Sequence, residues 1–354
     1  MKRRVFFSIM VVCLIATLTA CKAKSDSTVG TDVSNSSGDL IKVGFSQVGA
    51  ESDWRTANSE SMKKTFSEEN GYELIFDDAQ QKQENQIAAI RNFIQQDVDY
   101  IVLAPVTETG WDTVLQEAKD AGIPVIIVDR MVNVSDEGLY TAWVGSNFEL
   151  EGKKAAAWLD AYLKAAGKGE DSINIVDIQG TIGASAQIGR TAGLEAGVNE
   201  HSNWTLLVKT TGEFTQAKGQ EVMESLLKQY GDKIDVVYCE NDNEAFGAID
   251  AIEAAGYKVG LDGDMIVMSF DSTNAGLTDT LSGKISLNTE CNPLHGTRVE
   301  EIIKTLEKGE TPDKKKYVEE EIFSFDNSVP SVTVDGTDYT VTQVTQEVID
   351  SRAY

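Results

Sequence analysis

The sequence predicts an α/β protein built as two doubly wound parallel-sheet lobes. Three observations carry that expectation. Short apolar, β-branched runs alternate with amphipathic stretches of helical period over most of the chain. The runs are continuously apolar rather than alternating, as in parallel sheets covered on both faces. There are also too many of them for one comfortable sheet in a chain of 354 residues.

The first unit is an expected strand at 42–47 and a helix at 54–70. A strand at 72–77 and a helix at 83–96 follow, the latter with Ile87, Ile90, Phe93 and Ile94 on one face. Next come a strand at 100–104 and a helix at 111–121. Gly122 closes that helix, and Ile123-Pro124 leads into a strand at 125–129. The pattern resumes with strands at 173–178, 205–210, 236–239, 265–270 and 285–288. Helices at 150–164, 186–199, 216–229 and 244–255 separate them.

The N-terminal end sets the expected compartment. Lys2, Arg3 and Arg4 precede an apolar run from Val5 to Ala20, interrupted only by Ser8, Thr17 and Thr19. A basic start and a short apolar core describe an export signal, here residues 1–20, and the run is shorter than the roughly 20 residues of a spanning helix. Leu18-Thr19-Ala20-Cys21 resembles the lipobox of bacterial lipoproteins, which implies cleavage before Cys21 and lipid attachment to it. Residues 21–39 are rich in Ser, Thr, Asp, Lys and Gly, too polar to offset their ordering entropy by burial, and are expected to form a flexible tether. The expected location is the extracytoplasmic face of the cell membrane.

With 41% hydrophobic and 25% charged residues, the remainder has an ordinary globular composition. The formal charge of −26 becomes −29 without Lys2, Arg3 and Arg4. That excludes the basic footprint of a nucleic-acid-binding protein. Beyond Cys13 and Cys21 only Cys239 and Cys291 remain, far apart and no disulfide framework.

In open parallel sheets, ligands sit outside the carboxyl ends of the strands. There the sequence places Gln47 and Trp54-Arg55 after the first strand, Asp129-Arg130 after the fourth, and Arg190 in the helix after 173–178. Phe214 follows 205–210, Asn241-Asp242 follow 236–239, Phe270-Asp271 close 265–270, and Glu290 follows 285–288. This inventory suits a sugar. Carboxylates accept from adjacent hydroxyls, Arg donates from a rigid fork, and aromatic faces cover the apolar face of a ring.

The order and spacing of several segments also resemble the type I periplasmic sugar-binding proteins, which share the ribose-binding-protein-like fold. The resemblance is strongest to the galactofuranose-binding receptors of Gram-negative ABC importers. The segments are VGFSQVG (43–49), Trp54-Arg55, QQKQENQI (80–87), APVTETGW (104–111), EAKDAGIPV (117–125), Asp129-Arg130 and Leu150-Glu151-Gly152-Lys153. Further on they are QGTIGASAQIGR (179–190), GEFTQAKGQEVMES (212–225), Asn241-Asp242 and Phe270-Asp271. The resemblance implies a periplasmic-binding-protein-like clamshell with a three-strand hinge, crossed near 145–148, near Glu290 and near 324–329. The N-terminal lobe would be 40–146 plus 291–325, the C-terminal lobe 147–290 plus 326–354. It further implies ligand contacts at Ser46, Gln47, Trp54, Arg55, Asp129, Arg130, Arg190, Phe214, Asn241, Phe270, Asp271 and Glu290. Trp54-Arg55 and Glu290 depart from ribose binders and point to a furanose such as galactofuranose, fructofuranose or arabinofuranose. Counting Arg55, Arg130 and Arg190 against Asp129, Asp271 and Glu290 gives a balanced site and a neutral monosaccharide. Asp242 is expected to be paired or outside that set.

The expected partners are thus one monosaccharide and the permease subunits of an ABC importer, with the chain itself a monomer; the alternative partner is a membrane histidine kinase or chemoreceptor. No cofactor and no metal are expected, since there is no Cys/His cluster. No enzyme is expected: Asp129 and Asp271 could be cast as a glycosidase's pair, but Arg neighbours would hold both ionised and neither would serve well as an acid. With His201 and His295 alone, a His-based triad is thin. A regulator of the same fold would need a helix-turn-helix where the export signal lies.

Overall fold

The computed structural model describes residues 40–354. The expected signal, the lipid-bearing Cys21 and the tether lie outside the described residues. No helix among the described residues is long and apolar enough to cross a membrane.

The chain opens with β1 (Ile41–Gln47), α1 (Asp53–Thr65), β2 (Tyr72–Asp78), α2 (Gln83–Gln95), β3 (Tyr100–Leu103), α3 (Asp112–Asp120), β4 (Val125–Val128) and β5 (Ala142–Gly145). It continues with α4 (Phe148–Ala165), β6 (Ile173–Gln179), α5 (Ser185–Glu200), β7 (Trp204–Thr211), α6 (Gln216–Tyr230), β8 (Val236–Cys239), α7 (Asp242–Ala254), β9 (Ile266–Asp271), α8 (Asn274–Leu281) and β10 (Leu287–Glu290). The last elements are α9 (Gly296–Glu307), β11 (Lys315–Tyr317), β12 (Ile322–Ser324), β13 (Ser331–Val334), β14 (Thr337–Gln343) and α10 (Gln346–Ser351).

Two sheets result. The first runs β2-β1-β3-β4-β5-β11, parallel throughout. The second runs β7-β6-β8-β9-β10-β12-β14-β13, parallel as far as β10, with antiparallel pairs at β10–β12 and β13–β14. The leading five strands of each follow one doubly wound order, so each lobe has a switch point, between β1 and β3 and between β6 and β8.

The continuously apolar strands are explained by what covers them. Tyr100 and Val102 of β3 join one core layer, Ile101 and Leu103 the layer on the opposite face. Val236 and Tyr238 of β8 likewise part from Val237 and Cys239. Successive side chains of a strand point to opposite faces, and both faces here carry helices.

Three boundaries differ from expectation. The helix expected to run to residue 70 stops at Thr65, where Phe66 leaves helical geometry (φ −93°, ψ 47°) and packs edge-on against Tyr72, with centroids 5.0 Å apart. β10 begins at Leu287, so Glu290 ends the strand instead of following it. β12 pairs with β10 in the second sheet. The third crossing therefore falls at 318–321, ahead of the expected 324–329, and residues 322–325 do not belong to the first lobe's sheet. The strands after residue 321, mixed in direction, and the returning helix α9, which packs on α1, had no counterpart among the expected elements. Cys239 and Cys291 are free and buried.

Candidate ligand-binding site

A small cavity of about 20 Å³ lies between the lobes at the carboxyl ends of the strands. The lobes are closed around it. Asp53 N donates to Asn243 Oδ1 (3.1 Å), Met131 N to Ser185 Oγ (2.9 Å) and Glu108 N to Gly183 O (2.9 Å), all from the first lobe to the second.

The first-lobe wall is built on the start of α1. Ser52 caps the helix by accepting from Arg55 N, which sets Trp54 and Arg55 in its first turn. Arg55 meets Glu51 through Nε (3.1 Å) and Asp129 through Nη1 (2.9 Å), and lies over the Trp54 ring at 4.5 Å. Asp129 takes a left-handed backbone, φ 63°, where β4 turns off. Arg130 is different. Its Nη1 donates to Val106 O (3.2 Å), and no ion pair to it occurs among the described residues. Burial, with Arg55 adding repulsion, pushes its pKa down to about 10.

On the second-lobe wall Arg190 is clamped. Its Nε donates to Glu151 Oε2 (2.8 Å), its Nη2 lies 3.4 Å from Asp271 Oδ1, and its Nη1 donates to the Glu240 carbonyl. Burial works against its charge, but Glu151 and Asp271 outweigh it and raise the pKa further. Glu213 and Phe214 are both left-handed (φ 57° and 60°), which swings the Phe214 ring over Gly180. A Cβ on Gly180 would lie 1.9 Å from Phe214 Cζ, so only glycine leaves room for the ring. Arg130 then rests on that ring at 5.0 Å, a first-lobe cation on a second-lobe face. Asn241 caps α7 through Oδ1 and donates through Nδ2 to Phe214 O.

Eight of the twelve expected contact residues line the cavity: Trp54, Arg55, Asp129, Arg130, Arg190, Phe214, Asn241 and Asp271. Four do not. Ser46 is fully buried in β1, its hydroxyl without a partner. Gln47 sits behind Arg55, accepting from its Nη1 and donating to Asn58. Phe270 lies beneath Arg190 at 4.9 Å. Glu290 is turned away: Tyr354, Arg352 and Asn292 donate to Oε1, and Glu321 N to Oε2. Asp242 is outside the cavity, held by Ser269, Thr273 and Asn288, with burial pushing its pKa up to about 6.

Sequence reasoning missed Glu51, Ser52, Phe148, Ala186 and Cys291, which also line the cavity. It also missed Glu151, the partner of Arg190. A signal for Glu51 existed in its spacing four residues before Arg55. With Glu51 in place of Glu290, the cavity lining carries three Arg and three acidic side chains, so the formal count is kept. One electrostatic expectation changes: burial pushes the Asp271 carboxyl well above its usual range, against the pull of Arg190.

The model of the periplasmic binding protein domain family matches residues 43–289. The chain is 40% identical over 277 residues to the galactofuranose-binding protein YtfQ of Escherichia coli, covering 77% of this chain and 85% of the relative. A solved structure from Mycobacterium smegmatis in complex with β-D-fucofuranose is 42% identical, covers 80% of this chain and 91% of its own, and superposes with a TM-score of 0.76. The arabinose ABC transporter binding protein of Shewanella sp. ANA-3, bound to α- and β-L-arabinofuranose, is 41% identical with the same coverages and a TM-score of 0.75. With two doubly wound lobes, a chain that crosses three times between them, and this match over most of the body, the chain belongs to the periplasmic binding protein domain family.

Proposed function

We propose that this chain is the solute-binding lipoprotein of a carbohydrate ABC importer. It captures one neutral monosaccharide in its furanose form between the lobes and delivers it to a membrane permease, anchored by a lipid on Cys21. It performs no chemistry on the sugar. The observation that carries this reading is the cavity: small, closed by both lobes, with three guanidinium groups facing three carboxylates and the rings of Trp54, Phe148 and Phe214 around them. A balanced buried site has no surplus charge to offset the desolvation of a phosphate or carboxylate ligand. Its fixed donors and acceptors reject a ring that misplaces hydroxyls, because the site's own polar groups would be stranded. The ligands of the relatives named above, galactofuranose, fucofuranose and arabinofuranose, support the furanose.

Calorimetric titration of residues 27–354 with L-arabinose, D-galactose, D-fucose and D-ribose tests this, together with NMR of the bound sugar. Galactose is mostly six-membered in water, so its apparent dissociation constant is inflated by the small competent fraction. The expected bound form is the five-membered ring. A bound pyranose, or tight binding of a sugar phosphate, overturns the reading.

A further inference from the structure

The three crossings between the lobes converge on one side chain. Glu320, half-buried in the third crossing, accepts through Oε1 from Ser146 Oγ of the first (2.6 Å) and from Asn292 N of the second (2.8 Å). Beside it lies Glu151, from the first turn of α4. Glu151 is buried, 1% exposed, and its two oxygens have different fates. Oε2 accepts from Arg190 Nε, whereas Oε1 is enclosed with no donor. An oxygen of Glu151, an oxygen of Glu320 and the Cys291 sulfur all lie within 4.8 Å of one another. Like charges this close in a buried setting cannot both ionise cheaply, and an acceptor with no donor is costly. A single proton between the carboxyls resolves both.

We propose that Glu320 is a positioning residue for ligand binding: it shares one proton with Glu151, and that proton holds Arg190 in place and ties the three crossings in their closed arrangement. This rests on the reading above in so far as Arg190 meets the ligand. Other charged or titratable groups facing the pair are Arg190 from α5, Lys154 from α4, whose Nζ donates to Glu320 O, Glu290 and Cys291 from the second crossing, Asp271 beyond Arg190, and Tyr238, whose hydroxyl donates to Arg190 O. Burial raises both carboxyls; Arg190 opposes the rise at Glu151, and Glu151 adds to it at Glu320. The sign follows. A carboxyl pair whose pKa is raised on closure favours the closed form at low pH, and that advantage is lost as pH rises through the raised value. When the crossings separate and the carboxyls rehydrate, the proton leaves to solvent. Closure on a sugar takes it back.

The test uses residues 27–354, without the expected signal and lipid-bearing Cys21, as wild type and as Glu320→Gln, whose amide can donate to Glu151 Oε1 at every pH. With L-arabinose and D-galactose as probes between pH 5 and 8, the wild-type dissociation constant is expected to rise with pH, approaching tenfold per unit for one proton. In Glu320→Gln it should change less than twofold per unit. Parallel profiles, or a loss in the variant that is equal at every pH, overturn the proposal. Proton uptake by wild type, read from arabinose binding heats in phosphate and in Tris buffers, needs no variant: about one proton supports the proposal and none overturns it. If neither sugar binds, the reading of function fails, and the proton is still decided without ligand. Wild-type thermal stability should then fall with rising pH more steeply than that of Glu320→Gln, and equal slopes overturn it. Zinc chloride that raises the melting temperature of wild type but not of Cys291→Ser would put a cation among Glu151, Cys291 and Glu320 in place of the proton, and also overturns it.

Discussion

The two walls of the cleft hold the same kind of side chain in different ways. On the second lobe, Arg190 lies between Glu151 and Asp271 with the Glu240 carbonyl behind it, so its guanidinium has an acceptor on three sides. On the first lobe, Arg130 has a carbonyl and an aromatic ring but no carboxylate. Behind the second wall lie Asp177, Glu240 and Glu244, all buried and all pushed well above the usual carboxylate range by that burial. Behind the first wall lies His295, buried among Asn58, Pro293 and Trp54, with desolvation pushing its pKa down to about 4. One wall is therefore stabilised by protons it retains, the other by a proton it has given up. A buried cation is expensive or cheap according to what remains when it is removed.

The largest effect should come from the clamped arginine. Arg190→Ala leaves Glu151 and Asp271 buried without their cation, and breaking such a buried pair costs about 3–5 kcal/mol. Urea unfolding should show that loss, and calorimetry should show binding at least about thirtyfold weaker, since roughly 1.4 kcal/mol is tenfold. A threefold loss or less would erase the distinction between the walls.

His295 should come next, through its pH dependence. Its folded pKa of about 4 lies below the ordinary value of 6.5, so its contribution is present above pH 6.5 and is lost as pH falls toward 4. At about 1.36 kcal/mol per unit, the loss approaches about 3 kcal/mol. The carboxyls of the second lobe run the other way: raised in the folded state, they stabilise at low pH and lose that contribution as pH climbs. Hydrogen exchange measured at pH 5 and 7.5 should thus loosen the first lobe on acidification and the second on alkalinisation, and His295→Gln should abolish only the former. Uniform loosening of both lobes would show the contrast to be wrong.

Gly180→Ala should act through shape alone. The new methyl occupies the place of the Phe214 ring tip, and overpacking of this kind costs about 1–3 kcal/mol. Binding should fall with Phe214 displaced while the pH dependence of both lobes is untouched, which calorimetry at two pH values reads directly. The smallest effect should be Arg130→Met. No carboxylate is stranded, so the unliganded protein should be unchanged or about 1 kcal/mol more stable by urea unfolding, in spite of weaker sugar binding. A destabilisation equal to that of Arg190→Ala would mean Arg130 has a partner after all.

The parallel strands, and cavity residues such as Asp129, Asn241 and Asp271, were legible because they repeat one local rule, an apolar run and then a polar residue where the strand ends; Trp54, Arg55 and Arg190, which lie in helices, were legible through the resemblance. What escaped depended on distance in sequence. Glu290 was expected in the site, but its carboxylate is claimed by Arg352 and Tyr354, 62 and 64 residues later, and no spacing foretells that. Glu51 and Glu151 were passed over because a carboxylate in a loop or a helix's first turn ordinarily serves the backbone or solvent. Glu151 stood within a recognised segment, yet its role appears only once α5 brings Arg190 alongside. The strands after residue 321 are short, mixed in direction and half exposed, so their alternation is faint.

Trp54 brings a last consequence. Of the five tryptophans in the chain, Trp111, Trp143, Trp158 and Trp204 sit within the hydrophobic cores of single lobes. Trp54 alone lines the cavity, its ring under the Arg55 guanidinium and its indole N–H bonded to Cys291 O in the second crossing (2.6 Å). Any swing of the lobes draws that indole away from Phe148, Ala184, Ala186 and Phe214 of the second lobe, while Arg55, on the same helix, moves with it. Intrinsic fluorescence, with the four core indoles as a constant background, therefore follows the opening and closing of this protein without a dye.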